Sequence, residues 1–147
     1  MNEEIVTNSF EETQKLGEKI GSDLKTGAIL ALFGELGSGK TTFVQGLAKG
    51  LGIKRRIISP TFIIVRNYEL GIRNQGVKIF YHVDLYRVES EKEVQGLGIE
   101  EILNDQNRII AIEWAEKIKE LLPKKRTEIY FENLGENKRR ITVVPMI

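Results

Sequence analysis

One short segment of this chain constrains its fold more than any other. Residues 34–41, with the sequence GELGSGKT, fit the pattern Gly-x4-Gly-Lys-[Ser/Thr]. They follow an apolar run, residues 28–33, that predicts a buried strand. They precede a stretch in which apolar residues recur at helical spacing, namely Phe43, Val44, Leu47, Ala48 and Leu51. A strand, a glycine-rich turn of this pattern and a helix, in that order, predict a loop that binds the phosphates of a nucleoside triphosphate.

Each residue type in this segment has a chemical reason. A side chain at Gly34 or Gly39 would block the approach of backbone N–H groups to a phosphate or exclude the backbone angles that the loop needs. The helix that starts near Gly39 directs its unpaired amides toward the same anion. Lys40 carries a positive charge that can reach the β- and γ-phosphates, and the Thr41 hydroxyl is the expected magnesium ligand. Its neighbour Thr42 is given no metal role.

The composition is that of an ordinary globular protein. The chain has 147 residues, 41% of them hydrophobic and 29% charged, and this length predicts a single domain over residues 1–147. The absence of cysteine excludes disulfides, thiolate metal sites and cysteine nucleophiles, and it suits a reducing compartment. The acidic N-terminus does not resemble a secretory signal, and no apolar run approaches the roughly 18 residues that span a bilayer. We therefore expect a cytoplasmic protein with no membrane association.

The charge balance gives no general attraction to nucleic acid. The formal net charge is +1, so a contact with RNA would depend on local patches. Three basic clusters exist, at residues 54–56, 124–126 and 138–140. None contains an interleaved aromatic residue, and such triplets are usually solvated loop or strand-end residues.

The remaining segments show helical and strand patterns. Four helices are predicted besides the one that follows the glycine-rich loop. Capping boxes at Ser9 and Ser90 and the helical spacing of apolar residues place them over residues 9–27, 90–96, 99–103 and 116–122. β-branched runs predict two hairpins, at residues 62–85 and 127–144, and the almost continuously apolar residues 108–113 are typical of a central parallel strand. The predicted fold is α/β, a three-layer, P-loop NTPase-like domain with a mainly parallel central sheet and antiparallel edge hairpins, which binds nucleotide at the carboxyl ends of its strands.

Two acids close predicted strands where a magnesium triphosphate site needs a carboxylate. Asp84 ends the run 79–84, and Glu113 ends the run 109–113. Glu113 follows the more apolar and more central strand, so we favour it as the acid on the magnesium side. Asp84 is then a candidate for orienting the attacking water or for the outer shell of the metal. Either acid could instead be a strand-end carboxylate paired with a helix N-terminus or an arginine such as Arg87.

Three further features near these acids carry weaker signals. His82, the single histidine, shares a strand face with Asp84, and we favour a hydrogen-bonded structural role over a catalytic one. Residues 59–61, Ser-Pro-Thr, lie where a switch loop could present a hydroxyl to the γ-phosphate or its magnesium. Trp114 directly follows Glu113 and could be a core aromatic or a contact to a partner.

Four motifs together resemble the TsaE (YjeE) family, the small bacterial P-loop ATPases required for threonylcarbamoyladenosine (t6A) modification of tRNA. They occur in the family's order and approximate spacing and cover most of the chain: residues 34–42, Ser59-Pro60-Thr61-Phe62, residues 82–87 (HVDLYR) and residues 113–116 (EWAE). Glu35 and Ser38 stand where the family more often has aspartate and alanine, both at variable loop positions.

The resemblance implies a cofactor, a metal and partners. ATP is expected at Leu36, Gly37, Ser38, Gly39, Lys40 and Thr41, with Gly34 and Thr42 completing the loop and Phe10 near the adenine. Mg²⁺ is expected on Thr41 and Glu113, and the catalytic residues implied are Lys40, Thr61, Asp84 and Glu113. The implied partners are the threonylcarbamoyl transferase subunit and its paralogous partner protein, of the TsaD and TsaB families, with tRNA reached indirectly through that complex. The implied activity is a weak ATPase, stimulated by partners, that resets the complex between rounds.

Other classes of function remain open on the sequence alone. A small-molecule kinase would need a mobile lid with arginines, but the best lid candidate, residues 86–107, holds only Arg87 at its root. A GTP-dependent switch would need an Asn-Lys-x-Asp reader, yet Asn137-Lys138 is followed by two arginines. A purely structural domain would bind neither nucleotide. We rank the ATPase first and the kinase second.

Overall fold

The computed structural model describes residues 2–54, 57, 64–70 and 79–146. In this part of the chain, strands and helices alternate through most of the sequence. The strands are β1 (Glu3–Thr7), β2 (Ile29–Gly34), β3 (Val65–Glu69), β4 (Ile79–Asp84), β5 (Arg108–Glu113), β6 (Arg126–Gly135) and β7 (Lys138–Met146). The α-helices are α1 (Phe10–Asp23), α2 (Lys40–Gly50), α3 (Glu91–Gln95) and α4 (Ile99–Asn104), and a 3₁₀ helix covers Ala115–Leu121.

The seven strands form one sheet with the order β1-β7-β6-β2-β5-β4-β3. Its four central strands, β6, β2, β5 and β4, are mutually parallel. The outer pairs β3–β4, β6–β7 and β1–β7 are antiparallel. The predicted parallel centre and antiparallel edge hairpins are therefore confirmed. Because β2, β4 and β5 run in the same direction, their last residues, Gly34, Asp84 and Glu113, lie together at the carboxyl ends of the central strands.

Helices cover both faces of the sheet and make three layers. On one face, α1 and α2 enclose a core that includes Leu32, Phe43 and Ala111. On the other face, α3, α4 and the 3₁₀ helix enclose a second core that includes Ala31 and Ile112. β2 and β5 are almost entirely buried, as a strand between two helical layers must be. The three-layer α/β fold predicted from the sequence is confirmed.

Close packing of α1 against α2 fixes the helix that begins at the phosphate-loop segment. A Cβ added at Gly46 of α2 would collide with the carbonyl oxygen of Gln14 in α1, and one at Gly17 of α1 would collide with that of Phe43. Only glycine allows this approach of two helix backbones. The direction of α2, and with it the position of its first turn, is thereby set by α1.

Several local predictions need correction. β1 was not predicted, and it pairs with β7 at the edge of the sheet. The helix predicted over residues 116–122 is a 3₁₀ helix over Ala115–Leu121. Ser9 caps α1 by accepting the Glu12 amide, but α1 ends at Asp23, well before Gly27. Ser90 makes no side-chain hydrogen bond to the first turn of α3 within the described residues, and the Glu93 carboxylate accepts from the amide of Glu89, which precedes the N-cap, at 3.4 Å. The bonds found there are therefore not those of the predicted capping box.

Candidate functional site

The glycine-rich segment forms a sharp loop between β2 and α2. Gly37 and Gly39 have φ angles of 78° and 103°, in the left-handed region that side chains disfavour. A Cβ added at Gly34 would lie 2.7 Å from the Phe131 carbonyl oxygen and 2.7 Å from Ser38 Oγ. Gly39 is the N-cap of α2 and has no side chain that could occupy the first-turn amides. The loop thus has the glycines and the helix N-terminus that an anion-binding loop requires.

Lys40 is held at the base of this loop. Its ammonium donates to the carbonyl oxygens of Gly34 and Glu35, the latter at 3.4 Å, and lies 3.6 Å from the ring centroid of Trp114. Lys40 is only 5% exposed. Burial lowers the pKa of the Lys40 ammonium below its ordinary value, although the surrounding carboxylates, Glu113 foremost, oppose that shift. A buried ammonium whose hydrogen-bond partners are neutral carbonyl groups can exchange them for the oxygens of a polyanion.

Thr41, Glu113 and His82 form a hydrogen-bonded group beside Lys40. The Thr41 hydroxyl donates to the Glu113 carboxylate, with distances of 3.0 Å to Oε1 and 3.2 Å to Oε2. His82 Nε2 lies 2.6 Å from Glu113 Oε2. Glu113 is 2% exposed and His82 is fully buried. A hydroxyl and a carboxylate, both of which offer hard oxygen atoms as metal ligands, therefore lie together at the first turn of α2.

Asp84 lies on the strand next to Glu113. The two residues are register partners in the parallel pair β4–β5, so their side chains emerge on the same face. The backbone N–H of Tyr86 donates to Asp84 Oδ1 at 3.0 Å. This bond fixes the direction of the carboxylate at the end of β4. Both predicted acids are consequently at one site.

Lys40, Thr41, Asp84 and Glu113 line one cleft of about 320 Å³. Its lining residues are Leu36, Gly37, Ser38, Gly39, Lys40, Thr41, Thr42, Asp84, Tyr86, Glu113, Trp114 and Arg139. A smaller depression adjoins it and shares Gly39, Thr42 and Arg139, with Phe10, Thr13 and Asn137 as its other lining residues. Phe10, at the start of α1, is half exposed.

The structure brings most of the predicted site residues together. The predicted site residues at positions 36–42 all line the cleft, and so do Asp84 and Glu113. Phe10 lines the adjoining depression. Gly34 ends β2 directly before the loop. Thr61, with the rest of the Ser-Pro-Thr segment, lies outside the described residues. The site roles given to these residues stay predictions.

The residues present fit a nucleotide triphosphate with a magnesium ion. The loop is lined by glycines, and Ser38 Oγ is buried there without a hydrogen-bond partner in the described part of the chain. Within residues 2–54, 57, 64–70 and 79–146, no cluster of three or more His, Cys, Asp or Glu side chains could hold a metal by itself. The Thr41 hydroxyl and the Glu113 carboxylate suit Mg²⁺, which proteins usually hold through one or two carboxylates together with phosphate oxygens and water.

Three residues at the cleft carry contacts that the sequence did not assign. His82 was expected to be hydrogen-bonded, but its partner was not identified. Trp114 has φ 60° and ψ 41°, a left-handed conformation that is rare for a bulky residue, and this turns its ring over Lys40. Arg139, in one of the basic triplets, donates from Nη2 to the Gly37 carbonyl oxygen at 3.0 Å. Trp114 and the basic triplet that holds Arg139 were noted in the sequence, but their contacts with Lys40 and Gly37 were not predicted, because each contact depends on the paired sheet.

The sheet order, the glycine-rich loop and the helix that follows it define a P-loop NTPase-like α/β protein. The crystal structure of YdiB from Bacillus subtilis matches this chain with a TM-score of 0.78 and 34% identity, covering 100% of this chain and 87% of that one. Among the described residues, no helix is long and apolar enough to cross a membrane.

Sequence comparison gives the family. The family model described as threonylcarbamoyl adenosine biosynthesis protein TsaE matches residues 7–141. A tRNA threonylcarbamoyladenosine biosynthesis protein TsaE from Bacillus subtilis (strain 168) is 42% identical over 132 residues, which are 90% of this chain and 78% of the relative. The protein of the same name from Treponema pallidum (strain Nichols) is 36% identical over 138 residues, 94% of this chain and 97% of the relative. The chain belongs to the TsaE family.

Proposed function

We propose that this protein binds ATP with Mg²⁺ in the cleft beside the glycine-rich loop, hydrolyses it slowly, and uses this cycle in t6A modification of tRNA. One observation carries the proposal: Lys40, Thr41, Asp84 and Glu113, from three separate elements, line the same cleft. A purely structural domain does not need a lysine and two carboxylates buried around a glycine-rich loop.

The loop and α2 supply the binding energy for the triphosphate. Backbone amides at the start of α2 are suited to the β-phosphate, and Lys40 would exchange its carbonyl partners for β- and γ-phosphate oxygens. Thr41 and Glu113 would hold Mg²⁺, which neutralises the charge that develops on the phosphates during transfer. The adjoining depression at Phe10, Thr42 and Arg139 lies on the side of the loop that suits the nucleoside.

Asp84 is the residue best suited to orient the attacking water. Its carboxylate is fixed by the Tyr86 amide and lies beside Glu113. In the hydrolysis step the water oxygen bonds to the γ-phosphorus while the bond from that phosphorus to the β–γ bridging oxygen breaks, which gives ADP and phosphate. We expect slow intrinsic turnover, as the resemblance to the TsaE family implies.

The role in t6A synthesis follows from family membership. We propose that the partners are the TsaD-type transferase subunit and its TsaB-type paralogue, that tRNA is met through their complex, and that the protein works in the cytoplasm. Two apolar side chains at the mouth of the cleft, Leu36 and Tyr86, are 69% and 49% exposed and support a protein contact at that point. A partner bound there would sense the state of the nucleotide and stimulate its turnover.

The test is nucleotide binding and hydrolysis by the purified protein, alone and with the two partner proteins and tRNA. Lys40→Ala should weaken ATP binding, whereas Glu113→Ala and Asp84→Ala should mainly reduce turnover, by about 10²-fold or more. Failure to bind ATP with Mg²⁺ would refute the proposal. With γ-labelled ATP, label recovered on a small acceptor instead of in inorganic phosphate would favour the kinase.

A further inference from the structure

His82 is a fully buried polar residue to which the proposed mechanism assigns no role. It lies on β4, on the face covered by α1 and α2, two positions before Asp84. The neighbouring strand β5 places Ala111 opposite His82, so Glu113 is the next residue along β5 on that same face. This diagonal arrangement brings the imidazole ring to the Glu113 carboxylate.

The hydrogen bonds define which atoms are held. A carboxylate accepts hydrogen bonds, so His82 Nε2 carries the hydrogen in its 2.6 Å contact with Glu113 Oε2. Nδ1 is buried without a partner in the part of the chain that the structure describes.

The two oxygens of Glu113 consequently have different surroundings. Oε2 is occupied by His82, whereas Oε1 has Thr41 Oγ1 as its nearer contact, at 3.0 Å. Thr41 and Glu113 are the residues that would hold the metal. Thr41 Oγ1 also lies 3.2 Å from Oε2, so the two oxygens differ chiefly in the hydrogen bond from His82, which competes with a metal for Oε2 and leaves Oε1 free of that competition.

We propose that His82 is a positioning residue that withholds one oxygen of Glu113 and thereby makes the site selective for Mg²⁺ over Ca²⁺. The inference rests on the proposed function. Mg²⁺ demands six ligands in near-ideal octahedral geometry, whereas Ca²⁺ accepts six to eight oxygens, often with both oxygens of one carboxylate. A carboxylate with one oxygen hydrogen-bonded to an imidazole binds a metal less readily through both oxygens, and this penalises the larger ion.

Two substitutions at His82 test the role. His82→Leu removes the donor with little loss of volume, and His82→Gln keeps an N–H group near the position of Nε2. The affinity for a non-hydrolysable ATP analogue is measured by calorimetry with saturating Mg²⁺ and with saturating Ca²⁺. We expect the ratio of the two affinities to fall by about 10-fold or more in the leucine variant, a loss typical of outer-shell partners of metal ligands, and to be restored largely in the glutamine variant.

The outcomes separate this inference from the proposed function. If the wild type binds no analogue with either ion, the proposed function fails. If it binds with Mg²⁺ and the leucine variant keeps the wild-type ratio, the positioning role of His82 is wrong. If the leucine variant does not fold, an NMR measurement on the wild type tests the positioning role instead. His82 is the only histidine, so its imidazole ¹⁵N signals are assigned without mutation. The Nε2–H signal should persist when Mg²⁺ and analogue are added, and its loss would overturn the inference.

Discussion

The ammonium nitrogen of Lys40 lies 3.6 Å from the centroid of the Trp114 ring. Trp114 adopts a left-handed backbone conformation directly after β5, and this turns its ring toward the base of the loop. A cation over an indole face is stabilised by roughly 1 to 2 kcal/mol when the pair is partly desolvated. The contact therefore holds Lys40 in a defined position from which it must move to bind a phosphate.

Nucleotide binding should change the fluorescence of Trp114. When ATP and Mg²⁺ are added, the Lys40 ammonium leaves the ring for the phosphates, so the intensity or wavelength of the emission should change. Trp114 is the only tryptophan in the chain, so the tryptophan emission reports on this position alone. The measurement is a fluorescence titration, with Lys40→Ala as the control that should show an altered starting emission and no response at the same nucleotide concentrations. An equal response in both proteins would contradict the assignment.

As the pH is raised, the affinity for ATP should begin to fall at a lower pH than it would if Lys40 had the pKa of an ordinary lysine. Burial lowers the pKa of Lys40 from its ordinary 10.5, so the free protein loses this positive charge as the pH rises through a value below 10.5. Only the charged form attracts phosphate, and each pH unit above that pKa should weaken binding by up to about tenfold. Calorimetric titrations from about pH 7 to pH 10.5 measure the effect. Lys40→Ala should bind weakly with little pH dependence, and a wild-type affinity that stays flat to pH 10.5 would contradict the prediction.

Arg139 should strengthen nucleotide binding by supporting the loop from β7. Its guanidinium donates to the Gly37 carbonyl oxygen and to Asn133 Oδ1, each at 3.0 Å. Arg139→Leu should weaken ATP binding about fivefold, because one hydrogen bond that shapes the loop contributes about 1 kcal/mol. Lys138→Leu is the matched control, since Lys138 is the exposed neighbour and should bind as the wild type does. Identical affinities of the two variants would show that Arg139 has no such role.

The local part of the site could be predicted from the sequence because it depends on short-range chemistry. The glycines, Lys40 and Thr41 follow one another along eight residues, and a strand and a helix flank them. The position of the acids at strand ends also followed from the apolar runs that precede them. The order in the sheet then brought Asp84 and Glu113 beside Thr41, as the fold class required.

The contacts made across the sheet could not be predicted in this way. The bond between His82 and Glu113 depends on the register of β4 against β5, and the position of Arg139 depends on the hairpin of β6 and β7. β1 was missed because it is a five-residue edge strand with two acids, and its stability comes from pairing with β7. Such features are set by long-range pairing, which leaves no periodic signal in a short segment.

Glu128 should stabilise the fold through a buried charge network on β6. Arg126 contacts Glu128 Oε2 through Nε at 2.9 Å and Nη2 at 2.7 Å, and Tyr130 donates its hydroxyl hydrogen to Oε1 at 2.5 Å. Burial by itself would raise the pKa of Glu128, but the hydrogen bonds from Tyr130 and Arg126, with the charge of Arg126, outweigh it and lower the pKa below 4.5. Glu128→Gln should reduce the free energy of unfolding at neutral pH by about 1 to 3 kcal/mol, because charged partners are left unpaired.

The pH dependence of that difference follows from the sign of the shift. A carboxylate whose pKa is lowered by folding stabilises the protein above its ordinary pKa of 4.5, and this contribution is lost as the pH falls through the lowered value. The difference between wild type and Glu128→Gln, measured by urea denaturation, should therefore shrink when the pH is reduced from about 7 to about 3. Glu132→Gln on the same strand is the control: its carboxylate is 58% exposed and pairs with Arg140, so the free energy of unfolding should change by less than about 1 kcal/mol. Equal effects of the two substitutions at neutral pH would show that burial does not strengthen the Glu128 network.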